Sequence, residues 1–172
     1  MPDSGCELLL SRRSIRRYKP DPVELELILK ALDVARFAPS AHNRQPWEFV
    51  VVRDKATLEK LSRVHRWSGP VAGAQAAIVV LADRRQAPDS FLQDGSIAAT
   101  YLWLALHCVG LGTVWIYTLQ EAEAIREVIG APEHLFPVAI FPVGFPAEQP
   151  KARPRKELRE LVHLDSYGKK LE

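Results

Sequence analysis

From Gly95 to Gln120 the chain carries no charged side chain apart from any proton on His107, and this run constrains the fold more than any other segment. Gly110 and Gly112 interrupt it, and Ser96, Thr100, His107 and Thr113 are spread through it. It therefore lacks the continuous apolar stretch that spans a bilayer, and reads instead as a buried helix turning into a buried strand. The helix, over roughly Asp89 to Val109, is apolar or small nearly all the way round, so every side of it must be covered. A chain of 172 residues has little material for that. A second copy of the protein is the simplest cover for the far side, and a homodimer with this helix at its centre is expected.

The rest of the chain supplies elements to pack around that run. Asp21 at an N-cap, Pro22 at the first helical position and Glu24 three residues after the cap predict a helix carrying Leu25, Ile28, Leu29, Leu32 and Ala35 and stopping at Ala38, before Pro39. Trp47 to Val52 is aromatic and β-branched, hence a strand. Asp54 can cap a helix with Leu58, Leu61 and Val64, ended by the turn at Ser68-Gly69-Pro70. Ala76 to Ala82 is apolar throughout and reads as a strand buried on both faces. Thr113 to Tyr117 is a further strand, Glu121 to Ile129 a short helix ended by Gly130 and Pro132, and Phe136 to Val143 a last strand. Pro137 and Pro142 within that last run predict an edge position or irregular pairing. From Pro146 to Pro154 prolines and basic residues take over, as in an extended arm. One α+β domain over residues 1–172 is expected, with 145–172 as the C-terminal arm.

Charge and motifs exclude several classes. A formal charge of +2 is far from the basic excess of a dedicated nucleic-acid binder. Cys6 and Cys108 form no CxxC pair and no disulfide framework, Met1 to Glu7 has no basic leader, and Leu8-Leu9-Leu10 is too short for an export signal, which together favour the cytosol. His42, His65, His107, His134 and His163 lack metal-ligand spacing, so no metal is expected. Gly110-Leu111-Gly112 precedes a strand rather than following one, which rules out a dinucleotide turn, and no P-loop or Gly-x-Ser-x-Gly occurs.

What remains is anion-binding chemistry. Arg12-Arg13-Ser14-Ile15-Arg16-Arg17 offers four guanidiniums, whose planar donors match phosphate, together with a short hydroxyl. A second polar cluster, Pro39-Ser40-Ala41-His42-Asn43-Arg44-Gln45-Pro46-Trp47, follows one helix later, and a third, Arg153-Pro154-Arg155-Lys156, ends the arm. Asn43 is the only asparagine in the sequence, retained where the chain otherwise avoids a heat-labile residue; a turn before a strand would also accept it.

Taken in order, Arg12-Arg13-Ser14-x-Arg16, Pro39-Ser40-Ala41-x-Asn43-x-Gln45-Pro46-Trp47, Gly110-Leu111-Gly112-x-x-Trp115-Ile116 and the arm ending at Arg155 resemble the nitroreductase family of FMN-dependent oxidoreductases across almost the whole chain. The resemblance implies a central mixed, mainly antiparallel sheet flanked by helices, completed by arm exchange in a homodimer, with Leu161 and Val162 adding a strand to the partner's sheet. It implies that Arg12, Arg13 and Ser14 contact the FMN phosphate and ribityl chain and that Arg16 approaches the pyrimidine end, where a fixed cation favours the reduced flavin. Pro39, Ser40, Ala41, Asn43 and Gln45 would reach the flavin held mainly by the other subunit. Trp115, Ile116 and Tyr117 would lie against one face of the ring, although Trp115 and Tyr117 also suit a strand core. Arg155 and Lys156 would close over the phosphate.

The implied activity is that of a cytoplasmic FMN oxidoreductase with tight, non-covalent FMN, taking hydride from NAD(P)H and passing electrons to a small-molecule acceptor such as a nitroaromatic or quinone. No catalytic side chain is assigned, because the flavin carries the chemistry and Arg16 tunes it. A non-catalytic FMN-binding sensor, or a relative with another flavin reaction such as dehalogenation or flavin fragmentation, is the alternative. Neither a nucleic acid nor a membrane is an expected partner.

Overall fold

The computed structural model describes residues 4–171, and its organising element is strand β2, Ala76–Asp83. Ala76, Ile78, Val80 and Ala82 point into one core, while Ala77, Val79 and Leu81 point into another. Fully burying an aliphatic side chain is worth roughly 1.5–3 kcal/mol, so a one-residue slip of β2 would exchange the two sets and is strongly disfavoured. The sequence reading of β2 as buried on both faces holds.

Around β2 the sheet runs in the order β1, β2, β4, β3, with β1 at Trp47–Val52, β3 at Ile116–Tyr117 and β4 at Leu135–Val143. Every pairing among these strands is antiparallel. One face is covered by α2 (Leu25–Ala35) and α4 (Phe91–Cys108), the other by α3 (Lys55–Leu61) and α5 (Ala122–Ile129). Gly95 lets α4 approach the sheet closely, since a Cβ there would stand 2.8 Å from Val138 Cγ2 and 3.0 Å from Ala82 Cβ.

Local signals held where nothing competed with them. Asp54 caps α3, its Oδ2 accepting from the Thr57 backbone N–H at 2.8 Å and the Thr57 hydroxyl at 2.7 Å. Gly130 ends α5 at φ 69°, a left-handed position that favours glycine.

Where tertiary packing competed, the local reading gave way. Asp21 is not the cap of α2; the helix starts at Leu25 with Glu24 at the N-cap, making no side-chain cap bond. The reason is Val23, which is buried in the core ahead of the helix, with Glu24 after it still extended at ψ 138°. Strand β4 is not an edge, since it lies between β2 and β3; the expected irregularity appears as a register shift that pairs Val80 with Ala139 but Leu81 with Pro137. Strand β3 pairs only with Ile140 and Ala139, so Pro137 and Pro142 both fall outside that ladder. Residues 113–115, expected in β3, lie outside it. Leu161, expected in a strand, closes the one-turn helix α6 (Leu158–Leu161), with Val162 extended after it. A first helix, α1 (Ser4–Ser11), was not expected at all.

Residues 148–157 form no regular element. Among the described residues no helix is long and apolar enough to cross a membrane. On α4, Ile97 and Tyr101 are left partly exposed, and they lie four residues apart on one face of the helix.

Candidate functional site

The arginine turn is a clamped segment rather than a loose loop. The Ile15 N–H donates to Thr113 O at 2.9 Å, the Lys19 N–H to Phe145 O at 2.9 Å, and the Ala147 N–H to Arg17 O at 3.0 Å. The Tyr18 hydroxyl donates back to Ile15 O at 2.6 Å. Burial first, and then Glu148, push the Tyr18 phenol above its ordinary range, so it remains a donor. Gly112 allows this packing, since a Cβ there would lie 2.9 Å from Ile15 Cγ2 and 3.0 Å from Pro146 Cγ. The Gly110-Leu111-Gly112 motif thus serves to bring the sheet edge against the arginine turn.

Two adjoining clefts flank the turn. One, of about 370 Å³, is lined by Arg12, Arg13, Ser14, Arg16, Lys151, Arg153 and Arg155 together with Leu9, Leu10, Pro150 and Ala152. Six of these side chains are cations and none is a carboxylate. The other, of about 450 Å³, shares Arg12 and Arg13 and adds Ser11, Trp103, His107, Thr113 and Glu148.

Arg12 is the hinge between the clefts. Its guanidinium stacks 3.8 Å from the centroid of the Trp103 ring, which holds the planar group in one orientation. Burial, then Arg13 and Arg155, lower its pKa from the ordinary arginine value. The same pair of causes acts on His107, held below its usual range by burial first and then by Arg12 and Arg13. A set of cations that depress one another is an unbalanced charge, and an anion is what balances it. Arg13 is fixed by donating to Leu10 O and Arg12 O, both at 2.8 Å.

Glu148 braces the turn from the arm. Its Oε1 accepts from the backbone N–H of Arg16 at 2.6 Å and of Arg17 at 3.2 Å, and its Oε2 accepts from Arg17 Nε at 3.2 Å. Its pKa is lowered, chiefly by the Arg16 backbone hydrogen bond. The Arg16 side chain stays exposed.

The second predicted cluster lies elsewhere. Ala41–Asn43 forms a 3-10 turn in which His42 has φ 53° and Asn43 φ 55°, and Gln45 follows at φ 50°. Left-handed conformations cost non-glycine residues roughly 1–2 kcal/mol each, less for Asn, so this loop stores strain of the kind that marks functional segments. Ser40 Oγ accepts from the Gln45 N–H at 2.9 Å, and Gln45 Nε2 donates to Asn43 O at 3.1 Å. The Ala41 N–H donates to Asp94 Oδ1 at 3.0 Å, which ties the loop to the first turns of α4. His107, in the arginine clefts, lies in the last turn of the same helix. At 1.5 Å per residue, Asp94 and His107 stand about 20 Å apart along α4. The two clusters therefore occupy opposite ends of α4 and do not meet within one chain.

The remaining predicted residues divide by side-chain direction. Trp115 packs against Phe141 at 5.4 Å and Trp103 at 6.1 Å between ring centroids, Ile116 is buried in the core on the α3 and α5 face, and Tyr117 is 49% exposed. Arg155 lines the cation-rich cleft, whereas Lys156 and Pro39 are exposed and line neither cleft. Trp103, His107, Glu148 and Asp94 were missed by the sequence reading. Trp103 and His107 stand four residues apart in a helix, a spacing that places them on one face and could have been noticed; Glu148 and Asp94 carry no local signal.

Antiparallel strands between two helical layers, with an acid-free cationic cleft beside the sheet edge, define an α+β protein built to hold an anion. The nitroreductase family model matches residues 9–86 and 65–145, and the chain belongs to that family. A candidate NADH dehydrogenase/NAD(P)H nitroreductase of Methanothermobacter thermautotrophicus is 40% identical over 166 residues, covering 94% of this chain and 86% of the relative. The crystal structure of a candidate NADH dehydrogenase/NAD(P)H nitroreductase from Parabacteroides distasonis has a TM-score of 0.92 at 30% identity, covering 96% of this chain and 99% of the other. A candidate nitroreductase from Desulfovibrio desulfuricans, solved in complex with FMN, has a TM-score of 0.87 at 29% identity, covering 94% and 96%.

Proposed function

We propose that this chain is an FMN-dependent NAD(P)H oxidoreductase, cytoplasmic and homodimeric, that passes electrons to a small organic acceptor such as a nitroaromatic or a quinone. The observation that carries this reading is the cation-rich cleft, whose six basic side chains have no acidic neighbour in its lining. That donor set fits the dianionic phosphate of FMN, and the family relative solved with FMN supports the choice of group. FMN, when bound, supplies a carrier that accepts hydride from a nicotinamide and releases electrons to a second substrate.

The chain's own residues bind and orient. Arg12, Arg13, Ser14 and Arg155 hold the phosphate and ribityl end, with Lys156 nearby in the arm. Three charged hydrogen bonds at roughly 1.5–3 kcal/mol each supply much of the roughly 8–12 kcal/mol that micromolar to nanomolar affinity represents. Arg16 places a fixed cation at the pyrimidine end, where negative charge accumulates on reduction. Trp115, Ile116 and Tyr117 present the sheet edge to one face of the ring, and Ile116, being buried, does so through its backbone.

Pro39, Ser40, Ala41, Asn43 and Gln45 act on the cofactor of a second copy. Their place at the opposite end of α4 from the cationic cleft supports this, as do Ile97 and Tyr101, which α4 leaves 37% and 38% exposed. The short connection at residues 118–120 leaves the site open to acceptors of differing shape.

The test is the visible spectrum of the purified protein, followed by anaerobic NADPH or NADH. Flavin bands near one per chain that bleach with either donor support the reading. A colourless protein that takes up no added FMN overturns it, and bound flavin that neither donor reduces leaves a binding protein rather than an enzyme.

A further inference from the structure

Asp94 is a buried carboxylate, 3% exposed, held by two neutral donors: the Ala41 backbone N–H at 3.0 Å on Oδ1 and the Ser90 hydroxyl at 2.7 Å on Oδ2. Burying a carboxylate without a cation is unfavourable, and the first turns of α4 offset this only in part through the helix dipole. Capping does not explain the residue, because Asp94 lies inside α4 and its own N–H already bonds to Ser90 O at 2.8 Å. What its side chain reaches is the strained turn at Ala41–Asn43, in which His42 and Asn43 are left-handed without being glycine. That turn's bonds from the Gln45 N–H to Ser40 Oγ and from Gln45 Nε2 to Asn43 O lie within the loop; Gln86 Nε2 anchors its far end by donating to Arg44 O, and Asp94 anchors its near end at Ala41.

We propose that Asp94 is the positioning residue of the cofactor site: its carboxylate, fixed by Ser90, locks the Ala41 N–H and so holds Ser40, Ala41 and Asn43 in the strained shape that meets the flavin of the second copy. This rests on the reading of the chain as an FMN protein. Asp94 touches no cofactor itself. It converts the rigidity of α4 into the geometry of a loop that would otherwise relax toward right-handed backbone.

Two substitutions act on the same hydrogen bond from its two sides. Asp94→Ala removes the acceptor. Ala41→Pro removes the donor, and Ser40, extended at ψ 157°, already has the backbone that a residue before proline prefers. Asp94→Asn keeps an oxygen for the Ala41 N–H. FMN is titrated into each apoprotein, following flavin fluorescence and the visible circular dichroism of the bound flavin. Asp94→Ala and Ala41→Pro are each expected to weaken FMN at least tenfold with an altered flavin dichroism, the double variant to lose no more than the worse single one, and Asp94→Asn to stay within about threefold of the unsubstituted protein.

Independent, multiplying losses in the double variant overturn the proposal, as does an Asp94→Ala protein with unchanged affinity and dichroism. Should Asp94→Ala fail to fold, the Asn and Pro variants decide: Ala41→Pro with unchanged flavin binding, or Asp94→Asn as poor as Ala41→Pro, overturns it. Failure of the unsubstituted protein to bind FMN overturns instead the reading beneath.

Discussion

The carboxylate of Glu148, in the C-terminal arm, accepts the backbone N–H of Arg16 at 2.6 Å, so the segment that carries Arg155 also fixes the turn that carries Arg12 to Arg16. With the Arg17 N–H at 3.2 Å on the same oxygen, one side chain spans two parts of the proposed cofactor site. Glu148→Ala removes the acceptor of two backbone donors on an exposed segment, and the expected loss is about 0.5–1.5 kcal/mol of stability, read as a lower urea midpoint with unchanged slope. The sign of the pH effect follows from the lowered pKa of this acid. Its contribution is fully present above the ordinary glutamate value of about 4.3 and is lost as pH falls through the lower folded value. Glu148→Ala should therefore flatten that part of the acid-stability curve.

His107 titrates below its usual range because of burial and the nearby Arg12 and Arg13. The unfolded chain then binds the proton more readily, so the residue favours folding less as pH drops below about 6.5. An anion that neutralises the two arginines removes part of the cause. The His107 midpoint, followed by NMR, is expected to lie below 6.5 in the apoprotein and to move up when FMN is bound.

Arg155 lines the cation-rich cleft, and its guanidinium donates at long range to the neighbouring Arg153 and Pro154 carbonyls, at 3.3 and 3.4 Å. Removing one charge-assisted contact to a phosphate costs about 1.5–3 kcal/mol. Arg155→Ala should weaken FMN by roughly 10- to 150-fold and leave riboflavin, which has no phosphate, nearly unaffected. Paired fluorescence titrations with the two flavins measure this directly.

Much of this architecture was legible in the sequence, for physical reasons that also explain the misses. The doubly buried β2 and the run of α4 from Gly95 onward, free of fixed charge, announce themselves by composition, and Asp54 and Gly130 by local backbone chemistry. Arg12, Arg13, Arg16 and Arg155 stand out because cations gathered in short runs are visible without a fold, and one cleft is lined by all four together with Ser14. The start of α2 was misread because burial of Val23 outweighs a local capping pattern. Glu148 and Asp94 escaped because each acts at long range: one bonds a backbone 132 residues away in sequence, the other a backbone 53 residues away. Nothing in the residues around either one encodes that partner.

The function proposed above requires one cofactor site assembled from two copies, with the arginine cleft from one and the Ser40–Asn43 loop from the other. Arg12→Ala and Asn43→Ala proteins, each poor in flavin, can be co-expressed with different tags and the mixed dimer isolated. If the site is shared, one of its two sites carries both substitutions and the other neither, so flavin content should recover to about half that of the unsubstituted dimer. A mixed dimer as colourless as its parents would show that each site is built within a single chain.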